Sequence, residues 1–132
     1  MAELMIKVFL GHMVADYLLQ PNAMALGKSS KGWKGTLWCT LHCLIYTATI
    51  GLFCWTLNPL FLGLIFLTHW PIDRWSFASK WLKLIRSRDF MADFSGNDEY
   101  RDIRIPFACL VYTAADNTMH FVLLFLIAKL FA

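Results

Sequence analysis

Ionisable side chains stand inside the long apolar segments of this chain, and this feature restricts its fold most strongly. The 132 residues are 58% hydrophobic and only 16% charged, whereas a soluble domain carries about 25% charged residues. The hydrophobic residues form three long blocks and one shorter block, a pattern typical of membrane spans. The composition therefore predicts an all-α integral membrane protein with a single domain over residues 1–132.

A polytopic transmembrane helical bundle with four spans is predicted. A segment at 76–88 can place Phe77 and Trp81 on one face and Lys80 on the other, which predicts an amphipathic helix at the membrane interface. Residues 89–104 are predicted to form a charged cytoplasmic loop. The four cysteines fall within spans and are predicted to be buried free thiols. The predicted spans cover about residues 3–20, 36–57, 60–75 and 106–130.

Basic residues predict the orientation of these spans. They cluster in the first and third connections, while the turn at Asn58-Pro59 has none. The positive-inside rule places the two basic connections in the cytoplasm and both termini outside. The net charge of +3 is too small to indicate nucleic-acid binding, so the bilayer is the expected partner. The basic residues are Lys28, Lys31 and Lys34 in the first connection, and Lys80, Lys83, Arg86, Arg88, Arg101 and Arg104 in the third.

Histidine and aspartate recur at a fixed spacing within the predicted spans. Residues four apart share one face of a helix, so each pair can point into the bundle together. Ionisable residues inside a membrane are costly and by default mark a functional site. The pairs are His12 with Asp16, His69 with Asp73, and Asp116 with His120, and His42 stands alone in the second span.

Imidazole and carboxylate groups together indicate a metal site. They bind divalent transition metals, with zinc favoured here and manganese or iron as alternatives. Helical bundles build such sites from facing helices. Two other interpretations remain open: hydrogen bonds that hold the bundle together, and a pathway for protons or ions. The predicted metal ligands are His12, Asp16, His42, His69, Asp73, Asp116 and His120.

Further roles are predicted within and beside this set. His42, Asp73 and Asp116 are the predicted catalytic residues, with His42 as a ligand or proton shuttle. Gln20 extends the helix-one face by another turn, and Asn117 adjoins Asp116, so both are predicted to contact the substrate. Alternatively, Gln20 caps the C-terminus of its helix and Asn117 helps the helices to pack.

These motifs resemble a known family. GHMVADYLLQ, which holds His12, Asp16 and Gln20, resembles the first motif of the domain-of-unknown-function family 3307, small membrane proteins of bacteria and their phages. The lone His42 in TLHCLIY resembles its second motif, and THWPIDRWSFASK its third. DNTMH is similar to its last motif, except that Asn117 replaces the family's glutamine. The resemblance covers nearly the whole chain and implies a bacterial inner-membrane protein.

The leading functional hypothesis is a membrane-embedded, metal-dependent hydrolase. Its substrate, lipid-like or a phosphoester, is expected to enter from the cytoplasmic leaflet, because basic connections suit anionic headgroups. A more distant similarity to membrane-bound metal-dependent hydrolases agrees with this hypothesis only by analogy. One alternative is a small ion, proton or metal transporter, or a channel-like homo-oligomer. Another is a non-catalytic membrane module or phage effector whose metal or His–Asp network is structural.

Overall fold

Helices account for nearly all of the structure, a computed structural model that describes residues 1–86 and 99–132. The described residues contain no strand, which confirms the predicted all-α class. The elements are α1 (Ala2–Met13), a π-helical turn (Val14–Leu18), α2 (Asn22–Gly27), α3 (Trp33–Cys54), α4 (Pro59–Arg74), α5 (Phe77–Arg86) and α6 (Arg101–Phe131).

Local sequence explains where the central helices begin and end. Gly32 precedes α3 with a φ of 81°, a conformation that glycine adopts without a steric penalty. Trp55 ends α3 in the left-handed conformation. Asn58 then caps α4, because its side-chain oxygen accepts hydrogen bonds from the backbone N–H groups of Leu60 and Phe61. Pro59 follows as the first helical residue, where its missing N–H group costs nothing.

Three predicted boundaries differ from the structure. The α-helical part of the first predicted span ends at Met13 and continues as the π-helical turn. Residues Asn22–Gly27, which lie outside the predicted spans, form the short helix α2 directly after Pro21, since a proline before a first turn sacrifices no helical bond. Residues 101–104, assigned to the third connection, form the first turn of α6. Residues 99 and 100 of that predicted loop form a turn, and residues 89–98 lie outside the described residues.

The longer helices pack together around a shared core. Helix α3 packs against α1 and α4, and α6 packs against α1, α4 and α5. Gly11 lets α1 approach α3 closely, because an added Cβ would lie 3.2 Å from the Ile50 Cα. Small residues at helix contacts serve this purpose in membrane proteins. The core contains Val8, Ala15, Tyr46, Ile50, Phe61, Ile65, Leu124 and Ile127.

The distribution of polarity is inverted relative to a soluble protein. All four histidines and Asp73 are buried, while many leucines are exposed, including Leu52 at 73% and Leu110 at 66%. Helices α3 and α6 are long and apolar enough to cross a membrane, which suggests membrane association. Helices α1 and α4 are shorter, at 12 and 16 residues.

The cysteines are all free, but not all buried. Cys39 and Cys43 are buried in α3, whereas Cys54 is half-buried and Cys109 is exposed on α6. The prediction of burial was therefore wrong for Cys109. A thiol is nearly apolar, so an outward position on an apolar helix face carries little cost.

Candidate metal centre

Six of the seven predicted metal ligands meet at the centre of the bundle. The π-helical turn supplies one, α3 one, and α4 and α6 two each. Three groups of three can each offer ligand atoms that lie within 4.8 Å of one another. The groups are Asp16, His69 and His120; His42, His69 and Asp73; and Asp73, Asp116 and His120. Because they share members, the six residues form one centre, called the His–Asp centre below.

His42 lies closest to the other donor atoms. Its Nε2 is 3.0 Å from the Nε2 of His69. The same atom is 3.2 Å from Asp16 Oδ1 and 3.2 Å from Asp73 Oδ2. His69 Nε2 is also 3.2 Å from Asp73 Oδ2. His42 therefore joins carboxylates from two different helical elements.

Helix α6 completes the arrangement. His120 Nε2 is 3.4 Å from Asp73 Oδ1 and 3.7 Å from Asp116 Oδ2. Asp73 thus faces imidazoles through both oxygens. Its side chain is only 1% exposed, and that of Asp116, at 21%, is the most exposed carboxylate of the centre.

These separations suit a metal ion. In a tetrahedral zinc site with bonds of about 2.0–2.2 Å, neighbouring donor atoms lie roughly 3.3–3.6 Å apart. The separations above run from 3.0 to 3.7 Å. Nitrogen and oxygen donors of these types suit zinc, manganese and iron. The geometry is therefore compatible with a transition metal, without distinguishing among these ions.

Two donor atoms of the centre also support a bound cation. Asp16 Oδ1 and His120 Nε2 are buried and make no well-formed hydrogen bond within residues 1–86 and 99–132, although His42 Nε2 and Asp73 Oδ1 lie 3.2 and 3.4 Å away, respectively. A buried polar atom without a partner costs about 1–3 kcal/mol. A cation bound between these atoms would satisfy both of them. The donor set is therefore compatible with a bound metal ion.

Ring stacking holds the His69 side chain in addition to the Nε2 contact with His42. Its Nδ1 makes no hydrogen bond in the described part of the chain. The ring stacks on Tyr46 with centroids 3.6 Å apart and on His120 with centroids 4.2 Å apart. The two neighbouring rings restrict its rotation and keep Nε2 directed at Asp73.

Lys28 contributes a cation that sequence analysis placed only in the first connection. Its ammonium donates a hydrogen bond to Asp73 Oδ2 at 2.8 Å, and its side chain is 17% exposed. Burial lowers the pKa of Lys28, but the Asp73 carboxylate raises it more, so the net pKa is above the ordinary value. Lys28 is therefore charged at neutral pH. No spacing pattern links it to the centre, so the sequence carried no signal for this contact.

His12, predicted as a ligand, lies beside the centre with both ring nitrogens occupied. Its Nε2 is 2.8 Å from Asn117 Oδ1, and its Nδ1 is 2.8 Å from the Tyr46 hydroxyl. Asn117 donates its amide N–H to the Thr113 carbonyl, which directs its oxygen at His12. His12 Nε2 must then donate, and Nδ1 accepts from Tyr46. His12 belongs to none of the three ligand groups, although its Nδ1 is 3.5 Å from Asp16 Oδ2.

Tyr46 is the residue of this network that sequence analysis did not identify. It is fully buried on α3 and contacts both His12 and His69. A signal was present, because Tyr46 lies four residues after His42, the same spacing as in the His–Asp pairs. Tyrosine was overlooked because it is common in apolar helices.

The two predicted substrate contacts occupy different surroundings. Asn117 is engaged with His12 and also donates to the Tyr17 hydroxyl. Gln20 is half-buried beyond the π-helical turn, and its Nε2 has no hydrogen-bond partner among the described residues. Gln20 therefore has a buried donor without a partner among the described residues, whereas the Asn117 side chain already bonds to two side chains.

Comparison with known proteins identifies a family but no activity. The family described as "Protein of unknown function (DUF3307)" matches residues 4–132, nearly the whole chain. No curated protein and no solved structure shows significant similarity to the chain.

Proposed function

The chain belongs to the DUF3307 family, whose function is unknown, and from its own geometry we propose that it is a membrane-embedded, metal-dependent hydrolase. One observation carries this proposal: imidazole nitrogens and carboxylate oxygens from four helical elements converge at metal-ligand spacing in a buried centre. Ionisable groups inside a membrane are costly, and their convergence by default marks a functional site.

A four-span topology in the bacterial inner membrane is part of the proposal. Helix α1 and the π-helical turn together cover residues 2–18 and are followed by Leu19, so this element approaches the roughly 17–25 residues of a span. Exposed leucines on α4, such as Leu60 and Leu67, support contact with lipid. By the positive-inside rule, the basic connections support a topology with both termini outside.

The metal is assigned to the buried residues. Asp16, His42, His69, Asp73 and His120 would hold it, and His12 would orient the site from outside through Tyr46 and Asn117. A divalent metal bound there supplies Lewis acidity toward a water or a substrate oxygen. Zinc is our first choice, with manganese or iron as alternatives.

Asp116 is assigned the proton-transfer role. Of the three predicted catalytic residues it is the most exposed, whereas the side chains of His42 and Asp73 are each only 1% exposed. A general base must reach both water and the reacting group. Asp116 Oδ2 lies 3.7 Å from His120 Nε2, close enough to act beside the metal. His42 and Asp73 are accordingly assigned to binding the metal.

An apolar groove supports a lipid-like substrate. It has a volume of about 840 Å³ and runs between α5 and α6, with Lys80 as its cationic member. Pockets of roughly 300–1,000 Å³ with few polar groups are typical of ligand sites. Ile72, Ala115 and Met119 line this groove, and each immediately precedes a residue of the His–Asp centre. The basic residue would suit the anionic headgroup of a phospholipid.

Metal content and lipid turnover test the proposal together. Purified protein should contain a transition metal by elemental analysis and should hydrolyse phospholipid in mixed micelles, with activity lost on chelation and restored by the metal. Absence of bound metal after loading with Zn²⁺, Mn²⁺ or Fe²⁺ would contradict the proposal. Metal-dependent ion flux in liposomes without turnover would instead support the transport hypothesis.

A further inference from the structure

We propose that Lys28 acts as a built-in cation that restricts the His–Asp centre to a single divalent metal ion. This inference rests on the proposed metal-binding function. The six residues offer enough donors for two metals, because Asp73 joins two of the three ligand groups and can serve in either. The number of metals is therefore not determined by the count of ligands.

Asp73 is the residue that could bridge two metals. Carboxylates commonly do so in two-metal sites, where the ions lie about 3.5–4 Å apart. Its Oδ2 is 3.2 Å from the Nε2 atoms of both His42 and His69. The ammonium of Lys28 approaches the same oxygen at 2.8 Å. The other oxygen, Oδ1, faces His120 Nε2 at 3.4 Å. Two bridged metals would each need one of these oxygens, and a positive charge already stands beside Oδ2.

The charges of the centre agree with this role. With neutral imidazoles, the carboxylates of Asp16, Asp73 and Asp116 and the ammonium of Lys28 leave two negative charges. One divalent ion neutralises them, and a second would leave a buried excess of two positive charges. Burying uncompensated charge is strongly unfavourable. Without Lys28, that excess would fall to one, so a second ion would bind more readily.

The segment that carries Lys28 is held in place. Ser30 Oγ donates to the Gly27 carbonyl at 2.8 Å, and Arg74 Nη2 donates to the Gly32 carbonyl at 3.3 Å. Gly35 lies directly beneath this segment, and a Cβ at that position would overlap the Ser30 carbonyl. Lys28 is therefore a positioned part of the centre, in contrast to Lys31, which is exposed in the same connection.

Metal stoichiometry tests this inference directly. The wild-type protein, Lys28→Met, Lys28→Gln, Lys28→Arg and the control Lys31→Met would be loaded with Zn²⁺ or Mn²⁺, desalted and analysed for metal per chain. We expect one metal in the wild type, Lys28→Arg and Lys31→Met. We expect a second metal in Lys28→Met and Lys28→Gln, or second-site binding at least about tenfold tighter by calorimetry. In the Mn²⁺-loaded variants, electron paramagnetic resonance should show coupling between two ions.

The possible failures can be told apart. A wild type that binds no metal contradicts the proposed function itself. A wild type that binds two metals, or neutral Lys28 variants that bind one with an unchanged second-site affinity, overturns the role of Lys28 and leaves the metal centre standing. Lys28→Gln provides the measurement if Lys28→Met does not fold.

Discussion

The Nε2 atoms of His42 and His69 face each other at 3.0 Å across the contact between α3 and α4. Two neutral imidazoles can share one hydrogen at this distance, but two imidazolium rings would oppose N–H to N–H. A metal ion bound between these rings and Asp73 would accept a lone pair from each nitrogen. Replacing a member of this histidine pair therefore tests directly whether the centre holds a metal.

Replacing His69 should abolish metal binding. His69→Ala removes a donor shared by two of the three ligand groups. We expect metal affinity to fall by more than about 100-fold, since loss of an outer partner alone typically costs 10–100-fold. Thr68→Ala is the matched control, because its hydroxyl bonds only to backbone carbonyls of its own helix. Equal metal content in both variants would remove His69 from the site.

Replacing His12 should weaken the metal site without altering the ligand set. Both nitrogens of His12 contact other side chains, so His12→Ala should lower affinity by about 10–100-fold. With Co²⁺ in place of the native metal, the visible spectrum of the loaded variant should keep its band positions. A change in those bands would show that His12 itself coordinates the metal, as the sequence spacing first predicted.

Removing one hydroxyl should destabilise the bundle through His12. Tyr46→Phe keeps the ring against His69 but leaves His12 Nδ1 without its donor. We expect a loss of about 1–3 kcal/mol in unfolding free energy, as for an unsatisfied buried acceptor. Denaturant titration in detergent would measure this loss. In a double-mutant cycle, its effect and that of His12→Ala should be less than additive; simple additivity would show that the two residues act independently.

Filling the groove should impair lipid turnover while leaving the metal in place. Ala115→Leu adds a branched side chain to the wall of the groove on α6. We expect a severalfold higher KM for phospholipid with unchanged metal content. Ala48→Leu is the control, because Ala48 is exposed on α3 outside the groove. If the two variants have the same KM, the groove does not bind the substrate.

Labelling should distinguish the proposed topology from a two-span arrangement. In a cysteine-free background, a membrane-impermeant thiol reagent should label Ala2→Cys in intact spheroplasts, because a first span would carry residue 2 to the outside; in a two-span arrangement of α3 and α6, residue 2 would stay on the same side as Lys31. Lys31→Cys should react only after permeabilisation, because the proposed topology has the basic connections in the cytoplasm. The reverse pattern would invert the orientation, and release of the protein by alkaline carbonate would argue against spans altogether.

Helical spacing identified most of the centre because the relevant faces run along regular helices. His69 with Asp73 and Asp116 with His120 follow the four-residue rule, and each pair points inward together. His12 follows the same spacing but is not one of the grouped ligands, because its ring nitrogens hydrogen-bond to Tyr46 and Asn117. Spacing within one helix does not predict such contacts between helices.

Other features depended on tertiary contacts. Lys28 reaches Asp73 only because the connection before α3 folds against Gly35. Its charge alone supported an orientation in the membrane and nothing more. The early start of α6 was missed because Arg101 and Arg104 suggested a solvated loop, although arginine is itself a good helix former.

The π-helical turn at Val14–Leu18 makes the number of residues in the first helical element important for the site. Its defining bond runs from the Leu19 N–H to the Val14 carbonyl, one residue longer than an α-helical bond. Such a turn accommodates one additional residue, which in a continuous α-helix would rotate everything before it by about 100° relative to everything after it. Deleting Ala15 should therefore restore a continuous α-helix and convert His12 and Asp16 from an i,i+4 pair into an i,i+3 pair, which changes the angle between their side chains. In this part of the chain, a change in length should be more damaging than a change in side chain.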